Sequence, residues 1–133
     1  MSGPQELPIA TNGDVVLVRQ KVRSVAAEIG LSLVDQTKIV TAASELARNV
    51  LVHAGGGRVE VEKVSTGLRP GLRLVFSDEG PGISDIAQAM TDGFTTGGGL
   101  GLGLSGSRRL VDEFDLVSAP GEGTRITVTK WSR

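Results

Sequence analysis

With 133 residues, 39% of them apolar and 22% charged, the chain has enough material for one compact domain around one core and too little for a second catalytic domain. A net charge of -1 and a pI near 5.8 exclude the basic field that holds nucleic acid or an anionic membrane surface; the aromatic residues Phe76, Phe94, Phe114 and Trp131 are also too scattered to stack bases. The absence of cysteine excludes a disulfide framework, a thiolate zinc site and a cysteine nucleophile, and with neither a leader pattern nor a run of about 18 apolar residues a cytoplasmic protein is expected.

Leu7 to Thr11 reads as a short strand, followed by a turn or helix start at Asn12, Gly13 and Asp14. Val15, Val18, Val22, Val25, Ala26 and Ile29 then recur with a helical period, and Gly30 suits the left-handed residue that ends such a helix. Ser32 and Asp35 have capping-box spacing, with aspartate in the place usual for Glu or Gln, and open a second helix. Its buried stripe runs through Ile39, Val40, Ala43, Leu46, Ala47, Val50 and Leu51 to the stop at Gly55, Gly56 and Gly57.

A hairpin is predicted next, from Val59 and Val61 alternating with Glu60 and Glu62, through a turn at Thr66 to Gly71, to an apolar strand over Leu72 to Phe76. Ser84 to Met90 reads as a short helix, Gly97 to Gly103 as a glycine-rich loop, and Ser105 to Phe114 as a helix. Asp115 to Ser118 and Thr124 to Trp131 read as strands joined at Pro120 and Gly121. No linker or repeat divides the chain, and this order predicts a single α/β two-layer sandwich spanning residues 1–133, with helices covering one face of the sheet.

Three clusters carry chemical information. Glu45 and Asn49 lie four apart and project from one helix face, where a carboxylate and an amide oxygen suit a Mg²⁺ ion with its waters or a polarised hydroxyl; an ordinary solvated helix surface is the alternative. Asp78, Gly80 and Gly82 follow an apolar strand, so a carboxylate at the strand end meets backbone that a flat ring can approach closely, as recognition of an adenine amino group needs. A simple turn of Asp, Gly and Pro is its alternative. Gly97, Gly98, Gly99, Leu100, Gly101, Leu102 and Gly103 run into a helix, and glycine-freed amides at the positive end of a helix dipole form a phosphate cradle; here the alternative is a flexible hinge. No Walker lysine follows these glycines, and no first βαβ strand precedes them, which argues against a P-loop or a dinucleotide fold.

Taken together and in this order, with Gly123 and Thr124 before the last strand, the clusters resemble the N, G1, G2 and G3 boxes of the GHKL ATP-binding superfamily. The run Ser44 to Asn49, the triplet Asp92-Gly93-Phe94, the stretch Gly98 to Gly101 and the segment Arg109 to Phe114 are similar to the RsbT-type serine/threonine switch kinases of bacterial stress signalling over nearly the whole chain. That resemblance implies a mixed, mostly antiparallel sheet of the Bergerat type and a protein kinase using ATP and Mg²⁺. Asp78 would take the adenine amino group, with Gly80, Gly82 and Thr124 lining its pocket. Asn49 would hold Mg²⁺, residues 97–103 would close over the triphosphate, and Glu45 would deprotonate the attacking hydroxyl. Partners implied are a STAS-domain substrate in a stressosome-like complex and a PP2C-type phosphatase, with nucleic acid and membrane excluded. An anti-sigma factor of the RsbW type and a nucleotide-gated binding module without catalysis are the other readings. Leu102 stands where small residues are common, and Leu104-Ser105 where a proline-containing stretch is expected. His53, the sole histidine, reads as a structural or pocket-rim residue, because a chain of this length has no separate helical domain to carry a phosphoaccepting histidine. Of Arg108 and Arg109, the former is the better candidate for a phosphate contact, on a stretch that otherwise reads as a solvated helix face.

Overall fold

The computed structural model describes residues 3–82 and 100–132. Five strands, β1 (Gln5–Ile9), β2 (Gly57–Thr66), β3 (Arg69–Asp78), β4 (Glu113–Ser118) and β5 (Thr124–Trp131), form one sheet in the order β1-β2-β3-β5-β4. Every neighbouring pair is antiparallel. Among the described residues, three helices accompany it: α1 (Asn12–Glu28), α2 (Leu33–Ala54) and α3 (Leu100–Arg109).

Side chains alternate across a strand, so a sheet with one covered face buries every second residue. On β3, Leu72, Leu74 and Phe76 are buried, and the register partners of Leu74 and Phe76, namely Val61, Val128, Val59 and Ile126, are buried with them. The intervening Arg73, Val75 and Ser77 face the other way. α1 packs on α2, α2 lies against β2 and β3, and α3 packs on α2. The core is thus filled from the helical side by Val18 and Val22 of α1, Ile39 and Leu46 of α2, and Leu104 of α3.

Local chemistry sets the helix limits. Thr11 caps α1 by accepting from Asp14 N while the Asp14 carboxylate accepts from Thr11 N and Ala10 N, a complete capping box. At the other end Gly30 takes φ 85°, donating to Ala27 O as Leu31 N reaches back to Ala26 O, which is a Schellman ending with the buried Leu31 as its apolar contact. Ser32 caps α2 through Asp35 N, and Gly55 ends it at φ 73°.

Several boundaries differ from those predicted. The first strand is Gln5–Ile9, because Thr11 is taken up by its capping bonds. The hairpin strands extend to Thr66 and resume at Arg69, leaving a two-residue turn in which Gly67 has φ 58°; Gly71 lies inside β3, under the Trp131 ring. The third described helix begins at Leu100 rather than near Ser105, so Leu100, Gly101, Leu102 and Gly103 are helical. Fully buried Leu104 anchors it on α2, a tertiary contact that outweighs the low helix propensity of glycine. It ends at Arg109, not Phe114, since Glu113 and Phe114 pair with Thr129 and Val128 in the sheet. The helix predicted over Ser84 to Met90, the Asp92-Gly93-Phe94 triplet and the glycines Gly97, Gly98 and Gly99 lie outside the described residues. No described helix is long and apolar enough to cross a membrane.

A buried charge sits on the covered face. Lys130 of β5 is 3% exposed, with its Nζ 3.4 Å from Asp35 Oδ1 at the start of α2 and 3.5 Å from Asp112 Oδ1. Asp112 Oδ2 accepts from Trp131 N at 2.7 Å. Removing the cation strands two largely buried carboxylates, so Lys130→Ala should cost about 3 kcal/mol or more in urea unfolding. A loss below about 1 kcal/mol would mean that water already solvates both aspartates.

Candidate functional site

Asp78 is the last residue of β3 and shares the alternation of Leu74 and Phe76, so its side chain turns toward the helices. Its Oδ1 accepts from Gly80 N at 3.0 Å, which fixes the carboxylate within the turn that leaves the strand. That turn presses on the end of α2. A Cβ at Gly80 would stand 2.6 Å from Ala54 Cβ, and one at Gly57 would meet Val50 Cγ1 at 2.8 Å and overlap the Ser77 carbonyl oxygen. Glycine at both positions is therefore a steric requirement.

The same turn meets the β4–β5 connection. Gly82 and Gly123 both have φ 77°, and a Cβ would overlap the Ala119 carbonyl oxygen at the first and the Asp78 carbonyl oxygen at the second. Gly121 N donates to Pro81 O at 2.7 Å, tying the two loops together. Thr124, which pairs with Asp78 in the β3–β5 register, shares a 2.9 Å hydrogen bond between hydroxyls with Ser118, whose Oγ also donates to Gly123 O.

These elements surround a cavity of about 50 Å³. Asn49 and His53 of α2 form one wall, Asp78 and Thr124 at the strand ends another, and Pro81 and Gly82 the mouth of the turn. Leu46, Val50, Ile126 and Leu104 supply apolar surface. Two polar atoms are buried without a hydrogen-bond partner among the described residues on this wall, Asn49 Nδ2 and His53 Nε2. Burial lowers the His53 pKa below its ordinary 6.5, opposed by the nearby negative charge of Asp78, and so favours the neutral ring. A larger, open groove of about 490 Å³ lies across the other face of the sheet, between Arg58, Glu60, Val117 and Arg125; it holds none of these orphaned atoms.

Of the residues singled out in the sequence, the fold thus brings Asn49, Asp78, Gly82 and Thr124 around one cavity, with Gly80 behind Asp78. Glu45 is half-buried one turn before Asn49 and does not line it, and Arg108 and Arg109 are exposed at the end of α3. His53 is a wall residue rather than only a rim residue. Two contributors had no motif to mark them: Leu104, whose helix starts earlier than its glycines suggest, and Ser118, whose bond to Thr124 depends on strand register. Among the described residues, no group of three or more histidine, cysteine, aspartate or glutamate side chains stands together that could hold a metal ion.

Two outcomes follow for the site. A histidine with a lowered folded-state pKa adds stability at high pH that is lost as pH falls through the unfolded value of 6.5. The urea midpoint should fall on acidification from about pH 8 to 5.5, and His53→Gln should flatten that slope; an unchanged slope would mean that His53 is not desolvated. Gly82→Ala should cost about 1–2 kcal/mol from backbone strain alone, with the clash on Ala119 added.

Residues 34–132 match the family model for histidine kinase-, DNA gyrase B-, and HSP90-like ATPases. The chain is 51% identical over 94% of its length, and 94% of the other's, to the serine/threonine-protein kinase RsbT of Bacillus subtilis. It is 30% identical over 85% of its length to an anti-sigma F factor of Bacillus cereus, of which it covers 81%. Among solved structures, the RsbU and RsbW domains of Rv1364c from Mycobacterium tuberculosis match with a TM-score of 0.67 and 25% identity, over 99% of this chain and 33% of that one. The chain belongs to the histidine kinase-, DNA gyrase B-, and HSP90-like ATPase family and, within it, to the RsbT-type serine/threonine-protein kinases.

Proposed function

We propose that this single-domain kinase binds ATP with its base at Asp78 and transfers the γ-phosphate to a serine or threonine of a partner protein. ATP binding follows from the family. The assignment of roles is supported chiefly by one observation: segments far apart in the chain, carrying Asn49, Asp78, Gly82 and Thr124, meet at one cavity whose wall holds orphaned polar atoms. In this reading the Asp78 carboxylate, already oriented by Gly80 N, accepts from the adenine amino group, with Gly80, Gly82 and Thr124 shaping the ring's slot.

Asn49 is the proposed Mg²⁺ ligand, and Mg²⁺ when bound neutralises charge on the phosphates. Residues 97–103 are proposed to cover the triphosphate, Leu100 to Gly103 lying in the first turn of α3, where amide N–H groups and the helix dipole favour an anion. Glu45, one turn before Asn49, orients the acceptor hydroxyl and takes its proton. The hydroxyl oxygen forms a bond to the γ-phosphorus as the bond to the ADP oxygen breaks, so ADP leaves with the electron pair.

The proposed acceptor is a STAS-domain regulatory protein of a stressosome-like complex in the cytoplasm, after which the released kinase activates a PP2C-type phosphatase. A second reading, an anti-sigma factor of the RsbW type, draws on the similarity to anti-sigma F factors. Capture of a sigma subunit by the purified chain would favour it.

If Asp78 reads adenine through a charge-assisted hydrogen bond, Asp78→Asn should weaken ATP binding about ten- to a hundredfold while the protein stays folded. Unchanged affinity by calorimetry would remove that assignment. Glu45→Ala should keep near-normal Mg·ATP affinity and slow single-turnover transfer to a STAS partner about a hundredfold or more. Asn49→Ala should impair both. Transfer by Glu45→Ala at the wild-type rate would exclude it as the base, and tight ATP binding with no transfer by the wild type would favour a binding module.

A further inference from the structure

We infer that Ser118 is a positioning residue that sets the hydrogen-bonding sense of Thr124, so that the start of β5 meets the bound base as an acceptor only; the inference rests on the ATP-binding reading above. Ser118 closes β4, Thr124 opens β5, and the two pair across the β4–β5 register. Each belongs to the alternating set of its strand that faces the helices, with Leu116 on β4 and Ile126 on β5 packed in or against the core. Thr124 lines the cavity together with Asp78, and Ser118 does not. Whatever Ser118 does for a ligand there, it does through Thr124.

Counting protons fixes the direction of the contact between the two hydroxyls. Ser118 Oγ lies 2.9 Å from Gly123 O and 2.9 Å from Thr124 Oγ1. A carbonyl oxygen can only accept, so the single proton of the Ser118 hydroxyl goes to Gly123. The bond to Thr124 then has to be donated by Thr124, whose own single proton is committed to Ser118. What Thr124 offers a ligand is lone pairs alone. Its partner in the β3–β5 register is Asp78, whose carboxylate is held by Gly80 N and also only accepts. Directly paired residues have Cβ atoms about 5 Å apart, so these two acceptors address one edge of a ring. An exocyclic amino group suits them, because it carries two N–H groups. A ring edge without an N–H leaves both oxygens unmet and is selected against.

Ser118 also braces the loop before β5 through Gly123 O, and base preference separates that role from the one inferred. Calorimetry on the full chain would compare Mg·ATP with the magnesium complex of purine riboside triphosphate, which lacks the 6-amino group. The proteins are wild type, Ser118→Ala, Ser118→Thr, Thr124→Val, the double variant of Ser118→Ala with Thr124→Val, and Asp78→Asn. Wild type should prefer ATP. Ser118→Ala releases the Thr124 proton, so it should weaken ATP about fivefold, the size of one hydrogen bond, and leave the analogue within about twofold. Ser118→Thr, which restores the hydroxyl, should recover the wild-type preference. With Thr124→Val already present, Ser118→Ala should cost no further ATP affinity beyond about twofold.

Equal weakening of both nucleotides in Ser118→Ala, a Ser118→Ala effect undiminished by Thr124→Val, or wild-type affinities in Ser118→Ala would each overturn the inference. Should Ser118→Ala not fold, Ser118→Cys takes its place, since a sulfur accepts poorly in nearly the same volume. A loss of ATP affinity in Asp78→Asn with an unaltered base preference in Ser118→Ala would overturn the part given to Ser118 and leave the ATP reading standing, whereas no nucleotide binding by the wild type would overturn both.

Discussion

The end of β3 approaches the last turns of α2 so closely that no side chain fits between them, and the geometry of the site depends on that approach. Gly80 sits where a Cβ would be 2.6 Å from Ala54 Cβ, and Gly57 where one would be 2.8 Å from Val50 Cγ1. Both contacts fall within α2's final turns, the stretch that also carries Asn49 and His53. A larger residue at either glycine would force strand and helix apart and move Asp78 away from both. The second loop is set against the first by the same kind of constraint, because Gly123 lies on the Asp78 carbonyl and Gly82 on the Ala119 carbonyl. Small residues here are read best as spacing devices for functional atoms placed on rigid elements.

A sheet covered on one face gives these contacts their register. Each strand has to keep its apolar set toward the helices, and slipping by one residue would put Arg73 and Val75 in the core in place of Leu72 and Leu74. The uncovered face carries Arg58, Glu60, Glu62, Arg73 and Arg125 in mixed signs, which keeps it wettable. On the covered side, Lys130 is a buried charge. Its bonds to Asp35 and Asp112 join the start of α2, the connection between α3 and β4, and β5, so a buried charge links the three elements at the end of the sheet away from Asp78.

Elements defined by period and punctuation were legible in the sequence: the α1 and α2 stripes, the Ser32 cap, the stop at Gly55, the alternation along β2 and the apolar run of β3. Those decided by tertiary contact were not. Leu100 to Gly103 has the composition of a loop and is helical because Leu104 is buried against α2, while Glu113 and Phe114 fit a helical period yet pair with β5. Among site residues, Asn49, Asp78, Gly82 and Thr124 could be named because each stands in a motif with chemical meaning. His53 and Ser118 could not be given their parts in advance, since their partners are fixed by three-dimensional packing rather than spacing.

Three side chains, Asn49, His53 and Ser107, have buried polar atoms with no partner among the described residues, and all three belong to α2 or α3. An interior selected for stability alone would have replaced them with apolar residues, as the neighbouring Leu46, Val50 and Leu104 show is sterically possible. Retaining them leaves the contact between α2 and α3 less favourable than it needs to be when the cavity is empty. A ligand that offered hydrogen bonds to Asn49 and His53 would remove part of that penalty, and Leu104 of α3 supplies apolar surface to the same cavity.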